Sequence, residues 1–240
     1  MTSEGGRPGT ERSLPGPPPP PEAAADVFGA TLGVAWQFAE LLATEGVTRG
    51  LIGPRETARL WDRHLLNCAV VAELLPETGQ LVDIGSGAGL PGIVLAILRP
   101  QLDVVLLESM LRRVAFLQEC VDSLRIENAS VVRGRAEEYS GKVRADVVTA
   151  RAVAPLDRLT NWAAGLLRPG GEVLAIKGES AEEELAAARP VLSRLGVRST
   201  EILHVGHDKV IPATTVVRVV FSGRGREEQA GAHRRRTGLA

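Results

Sequence analysis

Apolar and polar positions alternate along the chain with two periods, and the changes between them outline the fold. Residues 26–45 carry Phe28, Leu32, Ala35, Trp36, Ala39 and Leu42 at helical spacing, enough for one apolar face. Pro54 opens a second helix that runs to about Leu75, and Pro76 follows its end. Ala58, Trp61, Leu65, Ala69 and Ala72 supply its apolar face. Arg59, Arg63 and Asn67 recur one turn apart on a polar face, with His64 at the border. From Leu81 onward short apolar runs take over. Those at 81–85, 103–108, 129–133, 145–150 and 172–177 read as strands. The segments 91–99, 110–124, the one after Pro155, and 180–195 read as helices. Two closing strands, about 198–206 and 214–221, have no helix between them.

Strand–helix alternation with short connections predicts an α/β fold: a mostly parallel sheet of seven strands with helices on both faces and extra N-terminal helices. The helix-free final pair predicts one antiparallel strand at or near an edge. Ligands in such sheets sit beyond the carboxyl ends of the strands, where the strand order reverses.

Composition narrows this further. The chain has 240 residues, 44% hydrophobic and 24% charged, with a net charge of −1, which suits one soluble domain plus tails. Residues 1–25 hold seven of the fifteen prolines and 223–240 hold five arginines against two glutamates. Neither has an apolar period, so both are expected to be disordered, leaving a domain at 26–222 with a helical extension at 26–76. The basic tail reads as a solvated segment or as a non-specific hand on RNA. Two cysteines, Cys68 and Cys120, exclude a disulfide scaffold and a multi-thiolate zinc site and fit a reducing cytoplasm. No apolar run reaches the ~20 residues that span a bilayer, and the N-terminus lacks a signal-peptide core, so neither membrane nor metal is expected. Apart from Lys142, Lys177 and Lys209 every basic residue is arginine, so phosphate contacts would be made mainly by guanidinium forks.

The candidate chemistry begins at Asp83-Ile84-Gly85-Ser86-Gly87-Ala88-Gly89-Leu90-Pro91-Gly92, which follows a strand and opens a helix. Gly87, Gly89 and Gly92 alone satisfy G-x-G-x-x-G, a pattern shared by dinucleotide sites. A dinucleotide places a pyrophosphate at the helix N-terminus, and Asp83 would repel it. S-adenosylmethionine has no phosphate and carries an ammonium and a sulfonium, which a carboxylate attracts directly or through water. Glu108, ending the next strand 25 residues later, could accept both ribose hydroxyls. The alternative for each acid is a cap or loop residue, and their joint placement at strand ends beside the glycine loop favours the cofactor. The loop after strand three, Arg133-Gly134-Arg135-Ala136-Glu137-Glu138, is where an adenine would lie, with backbone groups of Ala136 and Glu137 at its edge. Arg133, Arg135, Arg151 and Lys177 follow or end the remaining strands and suggest a basic half of the rim for an anionic acceptor such as a nucleic acid. On this reading Arg151 and Lys177 position a base or phosphate, with His64, Arg63 and Asn67 as secondary candidates. No Ser/His/Asp set, metal-ligand spacing or G-x-x-x-x-G-K-[ST] loop occurs. The same glycines leave open an NAD-linked oxidoreductase, although few residues remain for a substrate domain. A non-catalytic RNA-binding or ribosome-assembly module is the other alternative.

Leu60-Trp61-Asp62-Arg63-His64-Leu65-Leu66-Asn67, the glycine loop, Arg113-Val114-Ala115-Phe116-Leu117, Ala150-Arg151-Ala152 and Ala175-Ile176-Lys177-Gly178 together resemble the RsmG (GidB) family. The resemblance spans about residues 35–222 and leaves out both tails; Cys68 stands where many relatives have serine. It implies a Rossmann-like class I methyltransferase that uses S-adenosylmethionine to methylate N7 of one guanine, at the position named 527, in 16S ribosomal RNA. The partner would then be that RNA or the small ribosomal subunit. The resemblance further implies cofactor contacts at Gly85, Leu90, Ala136, Glu137 and Arg151, with Glu108 at the ribose; Asp83, Gly87 and Gly89 join them from the reading of the loop.

Overall fold

A computed structural model describes residues 16–223. Seven strands form one sheet: β1 (Gly79–Ile84), β2 (Leu102–Glu108), β3 (Ala129–Arg133), β4 (Ala145–Arg151), β5 (Leu167–Lys177), β6 (Val197–Val205) and β7 (Thr214–Phe221). Their order is β3-β2-β1-β4-β5-β7-β6. All neighbours are parallel except β7, which runs antiparallel to both β5 and β6. Strand order reverses between β1 and β4, so the ligand crevice expected of such sheets opens there.

The central parallel strands have apolar runs, such as Val104–Leu107 and Val173–Ile176, because both of their faces are covered. Leu81, Val104, Leu106 and Leu174 point into one core layer, and Val82, Leu107, Val148 and Val173 into the other. Helices α4 (Gly92–Leu98) and α5 (Leu111–Ser123) fill the first layer together with the N-terminal helices. Helices α6 (Leu156–Ala163) and α7 (Ala181–Arg194) fill the second.

The N-terminal extension differs from a pair of regular helices. It starts with α1 (Glu22–Phe28), four residues before the boundary expected at Asp26, and continues through α2 (Leu32–Leu41) into a π-helical turn at 42–46. The expected disordered tail therefore ends earlier than residue 25, while residues 1–15 and 224–240 lie outside the described part. The run Glu22–Gly46 is also long and apolar enough to cross a membrane by length and composition, contrary to the estimate from apolar runs. Here Phe28, Ala35, Phe38, Ala39 and Leu42 are buried in the protein core.

Residues 54–74 form one helical stretch of changing pitch: a 3-10 segment over 54–59, a π segment over 60–66, α3 (Asn67–Ala69) and another 3-10 segment over 70–74. The tight first turn rotates Ala58 out to solvent, where the regular period had placed it inside. The wider π segment buries a broader face, comprising Leu60, Trp61, His64, Leu65 and Leu66. Trp61 stacks on Trp36 at 6.3 Å between ring centroids and meets the edge of Phe28 at 6.2 Å. Its indole N–H donates to the Pro18 carbonyl at 2.9 Å, which ties the proline-rich lead-in to the domain.

Replacing Trp61 by Phe keeps an aromatic ring but removes this donor and the indole's second ring. The expected cost is at least about 1 kcal/mol in urea unfolding, one net hydrogen bond plus the packing lost with the smaller side chain. Trimming the chain to Glu22 should cost wild type more than it costs the variant; equal losses would show that Pro18 is not held there.

Candidate functional site

At the sheet's switch point β1 ends in the glycine loop. Asp83 is fully buried and pairs in register with Thr149 of β4. Its Oδ1 accepts the Thr149 hydroxyl at 3.2 Å and its Oδ2 accepts the Gly92 amide at 3.1 Å. Burial pushes its carboxyl up from about 3.8 to about 7, against the hydrogen bonds that favour the charged form. Asp83, read from the sequence as a carboxylate that attracts a cationic cofactor directly or through water, is withdrawn beneath the loop. It is an internal clamp that joins β1, β4 and the start of α4. A side chain at Gly92 would put its Cβ 2.6 Å from Asp83 Oδ2, so only glycine allows the clamp.

The rest of the loop closes on itself in the same way. The Gly85 and Ser86 amides donate to the Leu107 carbonyl, at 2.7 and 3.2 Å. Those of Gly89 and Leu90 donate to the Ser86 carbonyl, at 2.7 and 3.2 Å. Gly85, Gly87 and Gly89 have φ of +66°, +57° and +88°, which allows these turns. Glu108 is 3% exposed; its Oε2 accepts the Gly87 amide at 3.1 Å and its Oε1 the Met110 amide at 2.9 Å. Oε1 also accepts the Ser109 hydroxyl at 3.5 Å, and Oε2 keeps capacity for a further donor. Arg113, from the first turn of α5, brings Nη1 to 3.6 Å from Glu108. Among the described residues its Nε is the buried side-chain nitrogen left without a partner.

Two cavities flank the segment 152–155 that follows β4. The first, about 240 Å³, is lined by Ile84, Gly85, Leu107, Ala136, Val153 and Trp162, with Ser109, Gly134, Arg135 and Glu137 at its polar parts. The structure therefore brings Gly85, Ala136 and Glu137 together as expected. Asp83, Gly87, Gly89, Leu90 and Glu108 are not in that lining: Gly87, Gly89 and Leu90 shape the loop, and the two acids brace it. The second is a cleft of about 1220 Å³ that takes in Arg59, Arg63, Asn67, Arg151 and Lys177.

The cleft is not the basic half-rim read from the strand ends. Arg133 and Arg135 lie instead on a third cavity of about 410 Å³ with Ser109 and Glu138, and Arg135 also borders the first cavity. They follow β3, on the outer side of β2 and away from β4 and β5. In the cleft Arg59, Arg63, Arg151 and Lys177 face Asp62, Glu179, Glu182 and Glu184, so cations and carboxylates are equal in number. Lys177 is tied down: its Nζ donates to Glu184 at 2.7 Å and to the Ala154 carbonyl at 2.8 Å. Arg151 turns back on the helical stretch, with Nη2 2.7 Å from His64 Nδ1 and Nη1 3.2 Å from Cys68 Sγ. Asn67 donates to the Thr214 hydroxyl at 2.8 Å. Arg63 is half-exposed, its Nε 3.5 Å from Glu56.

The model of a family described as rRNA small subunit methyltransferase G matches residues 33–211. The chain belongs to this family. Two relatives carry that family's name. The Ribosomal RNA small subunit methyltransferase G of Thermobifida fusca is 62% identical over 203 residues, covering 85% of this chain and 86% of its own length. That of Streptomyces coelicolor is 60% identical over 203 residues, covering 84% and 85%. Among solved structures, a putative S-adenosyl-L-methionine-dependent methyltransferase from Methanococcus maripaludis superposes with a TM-score of 0.54 at 14% identity, covering 82% of this chain and 95% of its own. M. jannaschii TYW2 in complex with AdoMet gives 0.51 at 17% identity, covering 67% and 76%. Both share the Rossmann-like methyltransferase fold.

Several residues that line or brace these cavities are not legible in the sequence. Trp162 and Val153 line the first cavity from loops and helices whose approach is purely tertiary. Arg113 stood within a quoted motif, but nothing local shows that it reaches Glu108. Glu56, whose Oε2 lies 3.0 Å from His64 Nε2, is one ordinary acid among many until the pitch of 54–66 is known.

The Asp83 clamp makes a pH-dependent signature. The folded chain holds its proton to about pH 7 and the unfolded chain releases it near 3.8, so stability is lost as pH rises across that window. Asp83→Asn can accept from Gly92 and donate to the Thr149 oxygen without titrating. Urea unfolding of the variant between pH 4 and 7 should lack the decline seen in wild type. A decline of the same size in both would locate the titration elsewhere.

Proposed function

We infer that this protein transfers a methyl group from S-adenosylmethionine to N7 of a guanine in 16S ribosomal RNA, position 527 by family resemblance, acting in the cytoplasm on that RNA or on the small subunit. The observation that carries the reading is the pair of unlike cavities on either side of residues 152–155: one of about 240 Å³ with mostly apolar walls, and one of about 1220 Å³ lined by cations and carboxylates in equal number.

The residues of the first cavity suit an adenosyl group. Ile84, Leu107 and Trp162 offer apolar walls, and Glu108 and the unpartnered Arg113 Nε offer acceptors and a donor nearby. The same geometry disfavours a dinucleotide. A pyrophosphate needs open amides at the helix N-terminus, and here Asp83 already takes the Gly92 amide while other loop amides are held internally. When bound, S-adenosylmethionine supplies a methyl group made electrophilic by its sulfonium.

Guanine N7 has an exposed lone pair and no proton to lose, so no general base is required. What remains for the protein is placement, with reacting atoms held roughly 3–3.5 Å apart in line. Donors aimed at O6 would orient the base and stabilise the charge it acquires, whereas a fork on both O6 and N7 would block the nucleophile. Arg151 is the guanidinium best placed for this, since it roots beside the segment that divides the two cavities and has N–H groups beyond the two already engaged. Lys177 acts through its ties to Glu184 and Ala154, which hold the dividing segment in place.

The decisive measurement maps N7-methylguanine in ribosomal RNA from cells with and without this protein. Loss of one modified guanine on deletion is expected. An unchanged map, with purified protein that binds RNA but incorporates no labelled methyl, would favour the assembly-module alternative. Arg151→Ala should lower methyl transfer at least about tenfold, matching the loss of one charged hydrogen bond. Thermal shift should respond to S-adenosylmethionine and not to NAD.

A further inference from the structure

Arg151 is held by a chain of contacts that begins in the N-terminal extension. A guanidinium has only donors, so the 2.7 Å contact from Arg151 Nη2 requires His64 Nδ1 to be the acceptor. The imidazole proton is then on Nε2, which points at Glu56 Oε2 at 3.0 Å. The partners on the two sides thus select one neutral tautomer. Protonation of His64 would place an N–H against the guanidinium and break the contact.

The geometry also says what the contact controls. Arg151 ends β4, and the next residue, Ala152, has a φ of +54°, a strained conformation for a residue with a side chain. Val153 then packs on the glycine loop so closely that a Cβ on Gly85 would lie 2.9 Å from it. Whatever fixes Arg151 therefore fixes the segment between the two cavities.

We propose that Glu56 and His64 are positioning residues for methyl transfer, acting through Arg151, and that the reaction needs His64 in its neutral, Nε2-protonated form. This rests on the reading of the cleft as the methyl-acceptor site. His64 is faced by Glu56 and Arg63 from its own stretch and by Arg151 from β4; Cys68 shares Arg151, and Asp83 lies behind Cys68. Burial and the Arg151 charge hold its pKa below the ordinary histidine value, while Glu56 acts to raise it. The thiol of Cys68 is pushed up by burial and stays neutral in the working range.

The test is the pH profile of kcat/KM between pH 5 and 8.5, using small subunits from cells that lack the protein. His64→Asn places an amide oxygen where Nδ1 stood and cannot take a proton. It should stay within about tenfold of wild type at neutral pH and lose the part of the acidic limb that His64 contributes. Because Asp83 also titrates, that part is read as the difference between the two profiles. Glu56→Gln can still accept from Nε2 but removes a charge that raises the His64 pKa, so its acidic limb should move to lower pH. His64→Leu offers no acceptor and should fall by at least about tenfold at every pH; if it fails to fold, the other two variants carry the test. An acidic limb identical in wild type, His64→Asn and Glu56→Gln would overturn the proposal, as would equal losses in folded Asn and Leu variants. Absence of methyl transfer by wild type at every pH would instead remove the functional reading beneath it.

Discussion

A carboxylate withdrawn from water sits at the centre of this sheet. Asp83 joins three backbone elements that the chain order does not bring together: the end of β1, the middle of the reversed neighbour β4, and the first amide of α4. Burying such a group is costly unless its oxygens are hydrogen-bonded, and here each oxygen has a donor. The loop between Asp83 and Gly92 must then turn within a short span, which demands its positive-φ glycines and turns its amides inward. The pocket inherits its character from that constraint. With the helix N-terminus occupied by the protein's own acid, the remaining surface favours apolar contact and hydroxyl recognition over anion binding.

The second consequence concerns charge. Net charge is −1 over the chain, and the larger cleft has as many carboxylates as cations. A uniformly positive cleft would hold any polyanion; a paired one gives up much of that sequence-independent attraction. Its cations are aimed by partners instead, Lys177 by Glu184 and Arg151 by His64. Held donors serve a reaction whose difficulty is alignment of two atoms rather than removal of a proton. Arg133 and Arg135 lie outside the cleft, beside the third cavity.

The strands, the helices between them and the glycine loop were legible because each rests on local signals: an apolar run, a period, a glycine where φ must be positive. The position of β3 matched residue for residue, at 129–133. Other features were hidden because they arise from the tertiary arrangement. Nothing local tells a buried Asp from an exposed one, and Asp83 was assigned to the pocket when it belongs beneath it. Nothing local shows that β3 lies on the far side of β2 from β4, so Arg133 and Arg135 were grouped with Arg151 and Lys177. The helix at 54–74 followed a regular period in the sequence reading, and its π segment changed which side chains face inward.

That last error shows why the extension is part of the site and not an addition to it. A regular α-helix from Pro54 leaves His64 at the edge of a polar face, whereas the π segment buries it against Arg151. Phe38 of α2 comes so near the glycine loop that a Cβ on Gly89 would lie 3.1 Å away. The extension thus touches both the loop that shapes the first cavity and the guanidinium that borders the second. The first cavity is lined from the ends of β1, β2, β3 and β4 and by Trp162 of α6, with no residue of the extension in its wall. The guanidinium at the end of β4, on the border of the second cavity, is held by His64 from the N-terminal side.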